Sequence, residues 1–125
     1  MNIIISNSSS EPIYEQIKKA IKQAIYTNEL KEEEILPSVR ALANDLKISF
    51  LTVKKAYDEL EAEGFIKTVQ GKGSYVLPKN LELLREEKLK EIEKNISTVV
   101  KLSKIYGITE EEVVNLIKIM FEEDL

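Results

Sequence analysis

The strongest constraint in this chain is a pair of short amphipathic runs, each opened by a serine and joined through a two-residue turn. Ser38 precedes Val39, Leu42, Ala43 and Leu46, and Ser49 precedes Val53, Ala56, Tyr57 and Leu60. Apolar residues at that spacing share one face of an α-helix, and a serine in front can accept a hydrogen bond from an unpaired N–H of the first turn. Between them Lys47-Ile48 allows only a tight turn, so the two runs predict a helix-turn-helix. Gly64 supplies the stop for the second helix. After it the period changes. Ile66-Lys67-Thr68-Val69 and Ser74-Tyr75-Val76-Leu77 are β-branched and aromatic, with Gly71 and Gly73 between them, which predicts a hairpin with a glycine-bearing tip.

Elements on either side complete the pattern. Pro12 suits the first turn of a helix whose apolar positions are Ile13, Ile17, Ala20, Ile21 and Ala24, with Lys18, Lys19 and Lys22 between them. Asn28 is placed to end it in a left-handed conformation. An acidic loop, Glu32-Glu33-Glu34, leads to Ile35-Leu36, a short edge strand before Pro37. Past Pro78 and Asn80 a long helix is predicted from Leu81 to about Tyr106, with Leu89, Ile92, Ile96, Val99, Ser103 and Tyr106 at alternating spacings of three and four. Gly107 ends it, and Thr109 with Glu112 forms a capping box that opens a last helix bearing Val113, Leu116, Ile117, Met120 and Phe121.

The expected fold class is therefore mainly α (α+β): an N-terminal winged helix-turn-helix with a β-hairpin wing over residues 1–78, then two C-terminal dimerisation helices over 79–125. Composition excludes much else. The chain has no His and no Cys, which removes the usual proton shuttles, thiol nucleophiles and most transition-metal sites. No enzyme, catalytic residue, metal or cofactor is expected. The N-terminus carries Ile3, Ile4 and Ile5 before a Ser/Asn run, without the basic start or apolar core of a signal peptide, and nowhere does an apolar run approach a membrane span. The expectation is a cytoplasmic protein with no membrane partner.

Charge is unevenly divided. The chain carries a net −4, yet residues 1–80 hold 11 basic and 11 acidic side chains, while 81–125 hold 7 and 11. From Gly64 to Asn80 there are Lys67, Lys72 and Lys79 and no acid at all. A local basic edge matters more to phosphate contact than the overall balance.

Several segments, in order, resemble the GntR family of bacterial transcription regulators. They are Pro12-Ile13-Tyr14-Glu15-Gln16-Ile17, Leu36-Pro37-Ser38-Val39-Arg40, Thr52-Val53-Lys54-Lys55-Ala56-Tyr57, Leu60 to Ile66, and Gly71-Lys72-Gly73-Ser74-Tyr75-Val76. The short two-helix tail looks like the YtrA-type subfamily, which implies a small homodimer, often tied to control of transporter genes, with no large effector domain. The chain departs from the family at three places. Glu32-Glu33-Glu34 stands where Pro-Gly-Asp is frequent, Phe50-Leu51 opens a helix whose start is often polar, and Gln70 precedes Gly71 where arginine is common.

The DNA-binding candidates are Ser38, Arg40, Ser49, Phe50, Thr52, Lys54, Gln70, Gly71, Lys72 and Gly73. In a helix-turn-helix the second helix offers its first turns to base edges in the major groove. That places Ser49, Phe50, Thr52 and Lys54 near DNA, with Phe50 either meeting a thymine methyl group or packing locally as a staple. The resemblance assigns Arg40 a DNA contact, and its planar fork suits guanine or phosphate. Ser38 and Ser49 serve first as caps. At the wing, Gly71 and Gly73 let the backbone approach, Gln70 can bond a minor-groove acceptor and Lys72 a phosphate. Lys55 is read as a solvated charge.

For the tail, Leu89, Ile92, Ile96, Val99, Leu116, Ile117, Met120 and Phe121 form either a homodimer interface or the inner face of a hairpin folded back on the winged domain. The expected partners are a double-stranded DNA operator and a second copy of the chain, and no position stands out as an effector pocket. The chief rival is a winged-helix module that docks another protein. A small carboxylate hydrolase is a weaker third.

Overall fold

The structure is a computed structural model describing residues 2–78 and 81–123, with Leu81 through its backbone alone. Lys79 and Asn80 lie outside the described residues. The element order is α1 (Ile13–Tyr26), α2 (Val39–Leu46), α3 (Phe50–Ala62), β1 (Ile66–Val69), β2 (Gly73–Val76), α4 (Leu81–Tyr106) and α5 (Glu110–Glu122). This is the winged helix-turn-helix followed by two helices that the pattern predicts. The chain divides into two compact units, Met1–Leu81 and Glu82–Leu125. Among the described residues no helix is long and apolar enough to cross a membrane.

In the first unit the apolar stripes converge on α3. Ile17, Ile21, Ala24 and Ile25 of α1, Leu42 and Ala43 of α2, Val53, Ala56, Tyr57 and Leu60 of α3, and Ile66 and Val76 of the hairpin are buried. The α1 stripe lies further along than its periodicity suggests: Ile25 is inside, while Ile13 and Ala20 are only half-buried. β1 and β2 pair antiparallel from Ile66 opposite Val76 to Val69 opposite Gly73. Ile35 bridges to Tyr75, and the Leu36 N–H donates to the Ser74 carbonyl at 2.8 Å, so Ile35-Leu36 does run along the hairpin edge. The Tyr57 hydroxyl donates to the Pro37 carbonyl at 2.7 Å and ties α3 to the entry of α2.

Local chemistry sets the boundaries. Gly64 adopts φ +83°, and the Phe65 and Gly64 N–H groups return to the Leu60 and Glu61 carbonyls, a Schellman closure of α3. Asn28 is left-handed after α1, at φ 65°. Two further left-handed positions fall on residues other than glycine or asparagine. Lys47 (φ 56°) closes α2 with Ile48 N–H on the Ala43 carbonyl, and Glu33 (φ 68°) makes the turn in which Glu34 N–H donates to the Lys31 carbonyl. The glutamate thus bends the chain where the family's frequent motif has its glycine. At the N-terminus the Gln16 amide accepts from Ser6 N–H at 2.8 Å and donates to the Ser6 and Glu11 carbonyls, holding the leading segment to α1.

Lys18, which periodicity places on the polar side of α1, is buried. Its ammonium lies 2.8 Å from Glu59 on α3 and 2.6 Å from Glu63 at the C-terminal cap of that helix, and Lys22 adds a second contact to Glu63 at 2.7 Å. Burial alone pulls the Lys18 pKa down, but the hydrogen bonds to Glu59 and Glu63 outweigh it and hold the group above the ordinary lysine range. Burial likewise pushes the Glu63 carboxyl up, and its bonds to Lys18 and Lys22 more than offset this, leaving it below 4.5.

A folded carboxyl pKa below its unfolded value adds stability above pH 4.5, and that stability is lost as pH falls through the folded value. Glu63→Gln is therefore expected to be less stable than the parent at pH 7, with the gap narrowing as pH falls below 4.5 and through the parent's folded value. Urea unfolding across that pH range measures this, and a gap that stays constant down to acid unfolding would refute the clamp. Replacing Lys47 or Glu33 by glycine relieves a left-handed L-residue and should raise stability by roughly 0.5–1 kcal/mol each in the same experiment.

Candidate nucleic-acid interface

Ser38 and Ser49 have extended backbones and cap α2 and α3. The Ser38 Oγ accepts from Ala41 N–H at 3.0 Å, and the Ser49 Oγ accepts from Thr52 N–H at 3.1 Å. A second bond joins the Ser49 and Thr52 hydroxyls at 2.7 Å. Each helix start keeps further N–H groups directed outward, and these favour a phosphate oxygen.

Arg40, in the first turn of α2, reaches across to α3 and lies with its guanidinium 5.6 Å from the centre of the Phe50 ring. Guanidinium over ring is favourable and does not consume the N–H donors of the fork. Among the described residues no carboxylate pairs with Arg40, so its charge is not cancelled locally. Phe50 is the first residue of α3, 43% exposed and serving as a shelf for Arg40. It is not a staple, because that role belongs to a residue before the cap.

Other candidates are more committed. Lys54 pairs with Asp58 one turn along α3 at 2.7 Å, with both side chains more than half exposed, a contact worth little in water and readily exchanged for a phosphate. Lys55 is not simply solvated: its ammonium sits 4.0 Å over the Tyr14 ring and links α3 to α1. Helical spacing assigns Leu51 no role. It is 73% exposed at the second position of α3, beside Phe50. The signal was present in the unusual apolar start of the helix, but periodicity alone does not say which of two adjacent residues turns outward.

At the wing, the Lys72 N–H donates to the Val69 carbonyl at 2.9 Å, with Gly71 at φ +86° as third residue of that turn. A negative φ at Gln70 followed by a positive φ makes this a type II turn, which needs glycine at that place. Gly73 also has a positive φ, +93°. Gln70 and Lys72 are exposed at the tip, and a 2.7 Å bond between the Thr68 and Ser74 hydroxyls stiffens the stem. The acidic loop is kept from that tip by register: Glu33 and Glu34 bond Val76, at the far end of the hairpin. Ser38, Arg40, Ser49, Phe50, Thr52 and Lys54 are thus gathered at the helix-turn-helix, with Gln70, Gly71, Lys72 and Gly73 on the separate wing.

In the second unit Gly107, at φ +68°, turns the chain between α4 and α5, and the Thr109–Glu112 capping box is fully formed. Leu89, Ile92, Ile96, Val99, Leu116, Ile117, Met120 and Phe121 are all exposed in the single chain, Phe121 by 86%. Val100, Leu102, Ile105 and Ile119 are exposed as well, beyond the residues that the spacing picks out. A groove of about 350 Å³ runs between Ile96, Val100 and Ser103 of α4 and Val113, Val114 and Ile117 of α5.

Residues 13–76 match the family described as "Bacterial regulatory proteins, gntR family". Over 98 residues, 78% of this chain and 75% of the relative, the sequence is 39% identical to the HTH-type transcriptional repressor YtrA of Bacillus subtilis (strain 168). Among solved structures, a transcriptional regulator from Oenococcus oeni superposes with a TM-score of 0.73 at 29% identity, covering 94% of this chain and 97% of that one. The DNA-binding domain of AraR in complex with operator ORX1 is similar over 61% of this chain and 95% of its own length, with a TM-score of 0.54 and 25% identity.

Proposed function

This chain belongs to the gntR family of bacterial regulatory proteins, and from that premise we propose that it works in the cytoplasm as a homodimeric repressor that reads an operator in double-stranded DNA. It is a DNA-binding transcription regulator and not an enzyme. In this reading α3 enters the major groove, and the tip at Gln70–Lys72 touches the adjacent minor groove or backbone. The observation that carries it is the exposed Arg40 guanidinium, held on the Phe50 ring between two capped helix starts. Ring and fork together fix the donors before DNA arrives, which reduces the ordering cost of binding.

Basic residues near the helix-turn-helix are few, so one subunit makes few phosphate contacts. Two subunits on two half-sites supply the rest. The apolar side chains exposed on α4 and α5 support a second copy as their cover, since helices with such faces gain most of their stability from a partner surface. The acidic surplus lies in this same part, residues 81–125, and not in the reading head. The overall acidity that favours a protein-docking module therefore loses its force.

Arg40→Ala is expected to weaken binding to the DNA upstream of the protein's own coding sequence by about 1–3 kcal/mol, with an unchanged unfolding curve. Undiminished affinity in the folded variant would move the site elsewhere. Ile117→Glu is expected to sediment as a monomer and to lose operator affinity while keeping a folded first unit. A dimer that survives this change would count against the α4–α5 interface.

A further inference from the structure

We infer that Leu51 reads thymine methyl groups in the major groove, so that part of the operator's sequence preference is apolar rather than hydrogen-bonded. The inference deepens the DNA-reading assignment above and rests on it. Its starting point is the state of the neighbouring polar groups. The Ser49 Oγ caps α3, and its hydroxyl also bonds that of Thr52. Lys54 is paired with Asp58, and Arg40 is stacked on Phe50. What α3 offers outward at its first turn is the Leu51 side chain, 73% exposed, next to the uncovered part of the Phe50 ring.

The position matters as much as the exposure. The first turn of the second helix is what a helix-turn-helix presents to base edges, and Leu51 is the second residue of that turn. Along the major-groove edge of DNA the prominent apolar group is the C5-methyl of thymine, set among hydrogen-bond donors and acceptors. Leucine against a methyl group removes apolar surface from water on both partners. Against the N7 and O6 of guanine, or the amino group of cytosine, it would strip water from polar atoms and return no hydrogen bond. Leu51 therefore selects for thymine and against the alternatives, while Arg40 supplies a charged contact beside it.

Replacing thymine by deoxyuridine tests this, because it removes the methyl and leaves the pairing edge intact. Duplexes are first selected from a random-sequence pool by the full chain, and each thymine of the selected motif is then replaced singly. At one or two positions per half-site the parent protein is expected to bind about fourfold more weakly, the worth of one buried methyl. Leu51→Ala should bind the thymine and uracil duplexes equally, with an unfolding curve like the parent's, while Arg40→Ala keeps the uracil sensitivity. Neutral substitution at every thymine, or sensitivity that survives in Leu51→Ala, would overturn the inference and leave the regulator intact. Selection that returns no motif would instead remove sequence-specific reading itself, and this inference with it.

Discussion

The helix packing of the first unit converges on one stripe of α3. Val53, Ala56, Tyr57 and Leu60 are buried on one side of that helix, and α1, α2 and β1 all pack against it. With 3.6 residues per turn, burying those four forces Leu51, Lys54 and Asp58 outward. The same helix is thus the centre of the core and, in the proposed reading, the element that meets DNA. Its rotation about its own axis is set by apolar burial, so the exposed face is presented at a fixed angle.

Polar contacts make that setting more exact than packing alone. The Tyr57 hydroxyl on the Pro37 carbonyl fixes the entry of α2 against α3. Lys18 and Lys22 clamp α1 to Glu59 and Glu63 near the other end of α3, and Lys55 rests on Tyr14 between the same two helices. A buried ammonium shared by two partly exposed carboxylates adds little net stability, yet it is unforgiving of a slipped register. α3 is therefore held at both ends, and the Arg40–Phe50 stack stands on a rigid base.

What was legible in the sequence is what is local. The caps at Ser38, Ser49 and Thr109, the stops at Gly64 and Gly107, and the glycine turn of the wing each depend on a few neighbouring residues, and all are found where the pattern puts them. The misses have a different origin. Glu33 and Lys47 occupy left-handed positions that their residue types do not advertise, because the surrounding fold overrides a weak local preference. Lys18 and Lys55 sit among polar residues in the sequence, and only the approach of α1 to α3 gives them partners. The candidates proposed for the site can be named from the sequence, but their arrangement cannot. That Phe50 would become a shelf for Arg40, leaving Leu51 as the outward apolar side chain, depends on how two helices cross.

In the proposed dimer, two copies of this chain place two α3 helices in successive turns of one DNA groove. Hydroxyl-radical footprinting of the full chain on the DNA upstream of its coding sequence tests this arrangement. Paired protected patches related by two-fold symmetry are expected, with centres about 10–10.5 base pairs apart or a multiple of that spacing. A single patch without symmetry, or uniform protection no different from that of an unrelated duplex, would contradict it.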